Sequence, residues 1–269
     1  MRRLLAAAAG AGTAATALRL LIERPPGGRE RWTRTNHAGR EVSLLEGPAL
    51  VAALTLTSAS GVGSAAVAAP VAALAAGSLG ALDDLRGDSS SKGLAGHLRA
   101  LTRGEVTTGA VKVGGLALTG LGCAVLVDGR AHGDAASRST AAVGTLVGAG
   151  VVAGSANLAN LLDLRPGRAL KAGLLGALAL QPSVPAAAAA GSALGLLGPD
   201  LAGRTMMGDT GANSLGAVLG VALLQRTRTP GRLVVLGLLT GLTLASERVS
   251  FTRVIESTPV LRELDALGR

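Results

Sequence analysis

The sequence predicts an all-α membrane protein, a multi-pass helical bundle of about nine transmembrane helices with its functional loops on the cytoplasmic face. Two observations carry this reading. Of 269 residues, 48% are hydrophobic and only 16% are charged, which is apolar for a soluble chain of this size. The charges are also gathered. Uncharged runs recur at 4–18, 47–82, 113–127, 139–162, 172–199, 210–225 and 233–246, and the charged residues fall in the short intervals between them. A soluble α/β domain would scatter charge over every exposed helix face, and no interval here shows a strong apolar/charged period of 3.6 residues.

Taken in order, residues 1–24 read as a signal peptide or a first membrane helix; no small-residue cleavage site precedes a soluble-looking stretch, which favours the helix. A polar loop follows from Arg24 to Glu46. The 36 uncharged residues from Gly47 to Leu82 suit a tight hairpin of two helices, since roughly 17–20 residues cross a ~30 Å core. Small residues around Ser58 to Ser64 make its turn. Further spans are predicted over about 113–127, 139–156, 210–225 and 233–245, with a second hairpin over 172–199 broken at Gln181-Pro182-Ser183-Val184-Pro185. Residues 1–245 then form the polytopic domain, and 246–269 a cytoplasmic amphipathic tail. Nine spans place 19 of the 26 Lys and Arg on one face and 7 on the other. The positive-inside rule assigns the richer face to the cytoplasm.

Composition limits the partners. With one Trp, one Phe and no Tyr, aromatic belts cannot mark the two interfaces, so arginines must anchor the bundle. A net charge of +9 raises nucleic acid as a partner. Without aromatics to stack bases or one concentrated basic patch, loops facing anionic lipid are the better account. Cys123, alone and inside an apolar run, makes no intrachain disulfide and reads as packing.

All the unusual polar motifs fall on the predicted cytoplasmic face. Asp83-Asp84 closes the long apolar run; a carboxylate at mid-bilayer costs about 2.5–3.5 kcal/mol on insertion scales, so such residues sit at a span end or against a cation. Lys92-Gly93-Leu94 with Arg99 offers basic groups for phosphate. Asn157-x-x-Asn160-Leu-x-Asp163 offers amides, and Met207-Gly208-Asp209-Thr210-Gly211 a further carboxylate. Mg²⁺ is usually held by one or two carboxylates together with substrate phosphates, so these aspartates suffice for it. Zinc would want His or Cys, and His37, His97, His132 and Cys123 are dispersed.

In this order and loop placement the motifs, with Arg34-x-Asn36-x-x-Gly39 in the first loop, resemble the polyprenyl-phosphate N-acetylhexosamine-1-phosphate transferase superfamily. That superfamily includes phospho-MurNAc-pentapeptide translocase and the GlcNAc-1-phosphate transferases. The resemblance implies a multi-pass enzyme of the cell membrane that moves a sugar-1-phosphate from a UDP-sugar to polyprenyl phosphate, with Mg²⁺, releasing UMP, for cell-envelope polymer synthesis. Carried over by position, Asp83, Asp84 and Asp209 are catalytic, with Asp84 and Asp209 on the metal. Lys92 and Arg99 contact phosphates; Asn36, Asn157, Asn160 and Asp163 line the substrate. A second copy of the chain is carried as a candidate partner. Two features depart from the family. Asp163-Leu164-Arg165-Pro166-Gly167 stands where Asp-Gly-x-Asp-Gly is common, and no His follows His132. A non-catalytic polyprenyl-phosphate-binding or scaffold protein of envelope assembly is therefore the alternative. A solute transporter fits the span count, but no polar residue lies in mid-span to line a path.

Each motif also has a plainer explanation. An Asp pair at a span end can be a solvated helix terminus. Asn157 and Asn160, three residues apart, share a helix face and can serve as interhelical hydrogen-bond glue. The tail, with Val249, Val254, Ile255, Leu261, Leu264 and Leu267 among charges, reads as a helix on the bilayer or a cap on the bundle, or as a lid reaching the site through Glu247, Arg248 or Arg253.

Overall fold

The computed structural model describes residues 1–36, 39–86, 102–104, 107–129 and 135–268. Lys92 and Arg99 lie outside them. Eleven α-helices occupy the described residues: α1 (Arg2–Glu23), α2 (Glu46–Ser58), α3 (Ala65–Arg86), α4 (Thr108–Asp128), α5 (Ala135–Leu162), α6 (Arg168–Ala179), α7 (Val184–Leu201), α8 (Gly208–Arg226), α9 (Thr229–Ser246), α10 (Phe251–Ser257) and α11 (Pro259–Ala266). The first nine fall on the segments that the uncharged runs mark. Five of them, α1, α3, α4, Ser139–Leu162 of α5, and α9, are long and apolar enough to cross a membrane. Of the other four, α7 and α8 have 18 and 19 residues, whereas α2 and α6 have 13 and 12, so at 1.5 Å per residue these two reach only about 20 Å, short of a ~30 Å core.

Local chemistry explains those short helices. In the last turn of α2 the Thr57 and Ser58 hydroxyls donate back to the carbonyls of Ala53 and Leu54 at 2.7 and 2.6 Å, and Ala59-Ser60-Gly61 follows in the small-residue turn expected there. The α6–α7 connection falls at Gln181-Pro182-Ser183, where Ser183 caps α7 by accepting from the Ala186 amide and Pro185 occupies its first turn.

The core is built largely of alanine, glycine and scattered Leu and Val. Buried Ala6, Gly10, Ala14 and Leu18 recur every four residues along α1, the spacing of one helix face, which packs on α7. Lipid gives no hydrophobic drive between helices, so small residues that let backbones approach supply the contact energy. The closest approach that matters for function is α3 on α8. A Cβ built on Gly80 would lie 2.2 Å from the Asp209 carbonyl oxygen, so only glycine lets the end of α3 reach the start of α8.

The first loop adds one small sheet to the helical bundle. Thr33–Thr35 and Glu41–Ser43 form an antiparallel hairpin, β1 and β2, with Arg34 opposite Val42. Asn36 shapes its turn, its side-chain oxygen accepting from the Arg40 amide at 3.0 Å. Beyond the hairpin, Ser43 bridges in parallel to Thr205: its amide donates to the Arg204 carbonyl at 3.1 Å, and its own carbonyl accepts from Met206 at 3.0 Å. The hairpin is thereby stitched to the loop before α8.

Candidate functional site

Asp83 and Asp84 sit in the last turn of α3, and neighbouring helical positions point about 100° apart. Their partners differ accordingly. The Asp84 carboxylate reaches across to α8 and caps it, accepting from the Asp209 and Thr210 amides at 3.0 and 2.9 Å and from the Thr210 hydroxyl at 2.6 Å. Those amides are among the donors that a helix start leaves unsatisfied, and the anion also meets the positive end of the helix dipole. Gly208 makes the approach feasible: its φ of +59° suits glycine, and a Cβ there would lie 2.9 Å from an Asp84 oxygen. Behind Asp84, the Arg34 guanidinium donates to its backbone carbonyl, which fixes β1 to the end of α3.

Asp83 turns instead toward Lys112, in the second turn of α4. The ammonium lies 3.4 Å from Asp83 Oδ2 and also donates to the Asp209 carboxylate. The two carboxylates thus share one cation. All three groups are shielded, with side-chain exposures of 12% for Lys112 and 25% and 24% for the two acids, so the attraction is weakly screened.

Asp83 and Asp209 open on a cavity of about 700 Å³ whose walls come from several elements at this end of the bundle. The hairpin contributes Arg34 and Asn36, α3 its two aspartates, the end of α5 and the loop after it Asn160, Asp163 and Arg165, the end of α7 Asp200 and the first turn of α8 Asp209. Asp163 is buried at this cavity. Burial, together with the charges of Asp200, Asp209 and Asp84, pushes its carboxyl well above the usual carboxylate range. Below the walls Glu46 is fully buried and accepts from the Thr205 hydroxyl.

Of the residues picked out from the sequence, Asp83, Asp84, Asp209, Asn36, Asn160 and Asp163 meet at this cavity. Asn157 does not line it; its amide donates to Thr243 of α9 at 3.1 Å, the glue role. Lys112, Glu46 and Asp200 were not among the residues picked out. Lys112 left a readable signal, as one of three lysines in the chain and a lone charge heading an uncharged run on the motif-bearing face. Glu46 and Asp200 left none, because each looks like an ordinary loop charge until the fold buries it.

The loop at the rim, residues 163–167, is held by the tail. Arg165 pairs with Glu256 at 3.0 Å. Buried Arg168 forks onto both oxygens of Asp265 at 2.8 and 3.0 Å and donates to Thr252 at 2.9 Å. Lys171 donates to the carbonyls of Leu264, Asp265 and Leu267, the negative end of α11. The tail thus caps the bundle through α10 and α11.

Among the described residues no group of three or more His, Cys, Asp or Glu has the geometry to hold a metal ion by itself. Two facing carboxylates, Asp83 and Asp209, do suit Mg²⁺, which commonly takes its remaining ligands from water and substrate phosphate. Asp84 has committed both oxygens to the α8 cap, so the pair best placed for a cation is Asp83 with Asp209. Fold and cavity together define a helical bundle of membrane type with a pocket at one end lined by carboxylates and two arginines. Beyond that class, no model of a known protein family matches the chain, and no curated protein matches it either.

Proposed function

We propose that the protein is a membrane phosphoglycosyltransferase that transfers a sugar-1-phosphate from a UDP-sugar to a polyprenyl phosphate with Mg²⁺, and that the pocket faces the cytoplasm. The observation that supports this reading most is the meeting of Asp83 and Asp209 at one cavity, with Lys112 of a third helix bonded to both. A phosphate-to-phosphate transfer brings two anions together, which demands basic groups and a cation and little else from the protein. In the reaction an oxygen of the prenyl phosphate bonds to the sugar-bearing phosphorus, the phosphoanhydride bond breaks, and UMP leaves. When bound, Mg²⁺ supplies charge neutralisation and orientation for the phosphates. Asp83 and Asp209 would hold it.

The chain's own residues do the positioning. Asp84, by capping α8, presents Asp209 from a fixed first turn. Lys112, bonded to both Asp83 and Asp209, brings a positive charge behind them, and Arg34 lines the cavity itself. Asn160 and Asp163 line the side assigned to the nucleotide. Nine crossings, including the short α2 and α6 as partial spans, put all these groups on the arginine-rich side. The test is UMP release by purified protein with Mg²⁺, polyprenyl phosphate and a panel of UDP-sugars. Release with one sugar supports the reading, and none with any sugar, while an active relative turns over in the same assay, rejects it.

The alternative, a non-catalytic binder of polyprenyl phosphate, is favoured by one feature. Arg165 and Pro166 line the cavity where the motif comparison leads one to expect a second acid, and Arg165 is engaged by Glu256 of the tail. Mg²⁺-dependent binding of the lipid phosphate without saturable UDP-sugar binding would select it.

A further inference from the structure

A second cavity, of about 540 Å³, opens at the same end of the bundle between the end of α1 and the loop entering α8. Arg19, Arg29 and Arg204 line it, and no lining residue is acidic. No carboxylate among the described residues bridges to any of the three. Their backbones are fixed nonetheless. Arg19 lies in α1. The Arg29 carbonyl accepts from the Trp32 amide and the Thr33 hydroxyl, each at 3.0 Å. Arg204 is held from both sides, its amide donating to Pro199 and its carbonyl accepting from Ser43, each at 3.1 Å. Three like charges are thus gathered around one hollow with no bridging carboxylate among the described residues. Apart from Ser43 and Thr205 the remaining wall is apolar, including Leu18 and Ile22, and runs into the exposed flank of α1, where Leu20 and Ile22 are 59% and 51% exposed.

We propose that this pocket binds the phosphate headgroup of an anionic membrane lipid, with the acyl chains lying along α1. Basic pockets between helices at the membrane surface suit such headgroups, and arginine forks match phosphate oxygens. A phosphate free in solution would use the arginines but leave the apolar wall and the α1 flank without a partner. The site is separate from the transfer pocket, and its occupancy does not depend on the reaction assigned there.

The experiment compares full-length protein in phosphatidylcholine bilayers with and without phosphatidylglycerol, counting lipid retained after detergent extraction by native mass spectrometry. Phosphatidylglycerol is expected to stay bound to the wild type. The Arg19→Gln/Arg29→Gln/Arg204→Gln variant is expected to lose on the order of 100-fold in retention, and each single variant about fivefold. Arg226→Gln/Arg228→Gln, at the other end of α8, should retain it. Should the triple variant fail to fold, the single variants decide. Three outcomes overturn the proposal: undiminished retention in all the pocket variants, equal retention of phosphatidylcholine, or displacement of phosphatidylglycerol by inorganic phosphate at matched concentration, which would make this a soluble-phosphate site.

Discussion

At the scale of single residues, the adjacent pair Asp83-Asp84 divides its labour. Asp84 is the cap of a helix in another part of the chain, and Asp83 faces Lys112. Replacing Asp84 by alanine should free the Asp209 and Thr210 amides, costing about 1–2 kcal/mol as a lost cap does. Hydrogen exchange should accelerate at those two amides and spare the middle of α8; uniform protection would contradict the capping role. Lys112→Met is expected to lower UMP release about 10²–10³-fold, the range for removing one stabilising donor, while the thermal transition in detergent stays in place. The sequence showed that two neighbouring helical carboxylates should point different ways, but which one caps and which meets the cation depends on the α3–α8 approach. Nothing within a few residues of either aspartate encodes that choice.

At the scale of elements, the critical contact is glycine-mediated. Gly80→Ala adds a methyl group where α3 meets the Asp209 backbone, with 2.2 Å available, so α8 must shift away from Asp84. Turnover should fall at least tenfold, since small misplacements in a transfer site cost that much or more. Gly122→Ala in α4, with open space around it, should leave turnover unchanged; equal effects from the two would show that helix propensity, rather than the close approach, was at work. The element pattern itself was largely legible, because uncharged runs and the breaks at Ser58 to Ser64 and at Gln181 to Pro185 are local signals. The β-hairpin was not. Three-residue strands in a loop of arginines carry no apolar alternation, and their pairing is completed by Ser43 meeting the distant loop at Arg204 to Met206.

At the scale of the whole molecule, the first loop, the end of α3, the loop after α5 and the approach to α8 converge on one end, and the tail clamps the rim of the cavity through Arg168 and Asp265. Arg168 is 5% exposed, so Asp265→Asn strands a buried guanidinium, and breaking such a pair costs about 3–5 kcal/mol. Residues 247–268 should become open to limited proteolysis while the bundle persists; unchanged resistance would mean that the remaining contacts of α10 and α11 hold the tail alone. Convergence at one end was legible from alternation of the runs, and the clamp was not, since Arg165, Arg168 and Lys171 look like any membrane-anchoring cluster until Glu256 and Asp265 arrive from the far end of the chain. The central claim is that Asp83 and Asp209 hold the cation of a phosphoryl transfer, and the most direct measurement is the rate of UMP release against Mg²⁺ concentration for wild type, Asp83→Asn and Asp209→Asn. The account predicts Mg²⁺-dependent release by the wild type, abolished by EDTA, and a loss of at least about 100-fold in each variant. Release that persists in both variants, with the same Mg²⁺ dependence as the wild type, would contradict it.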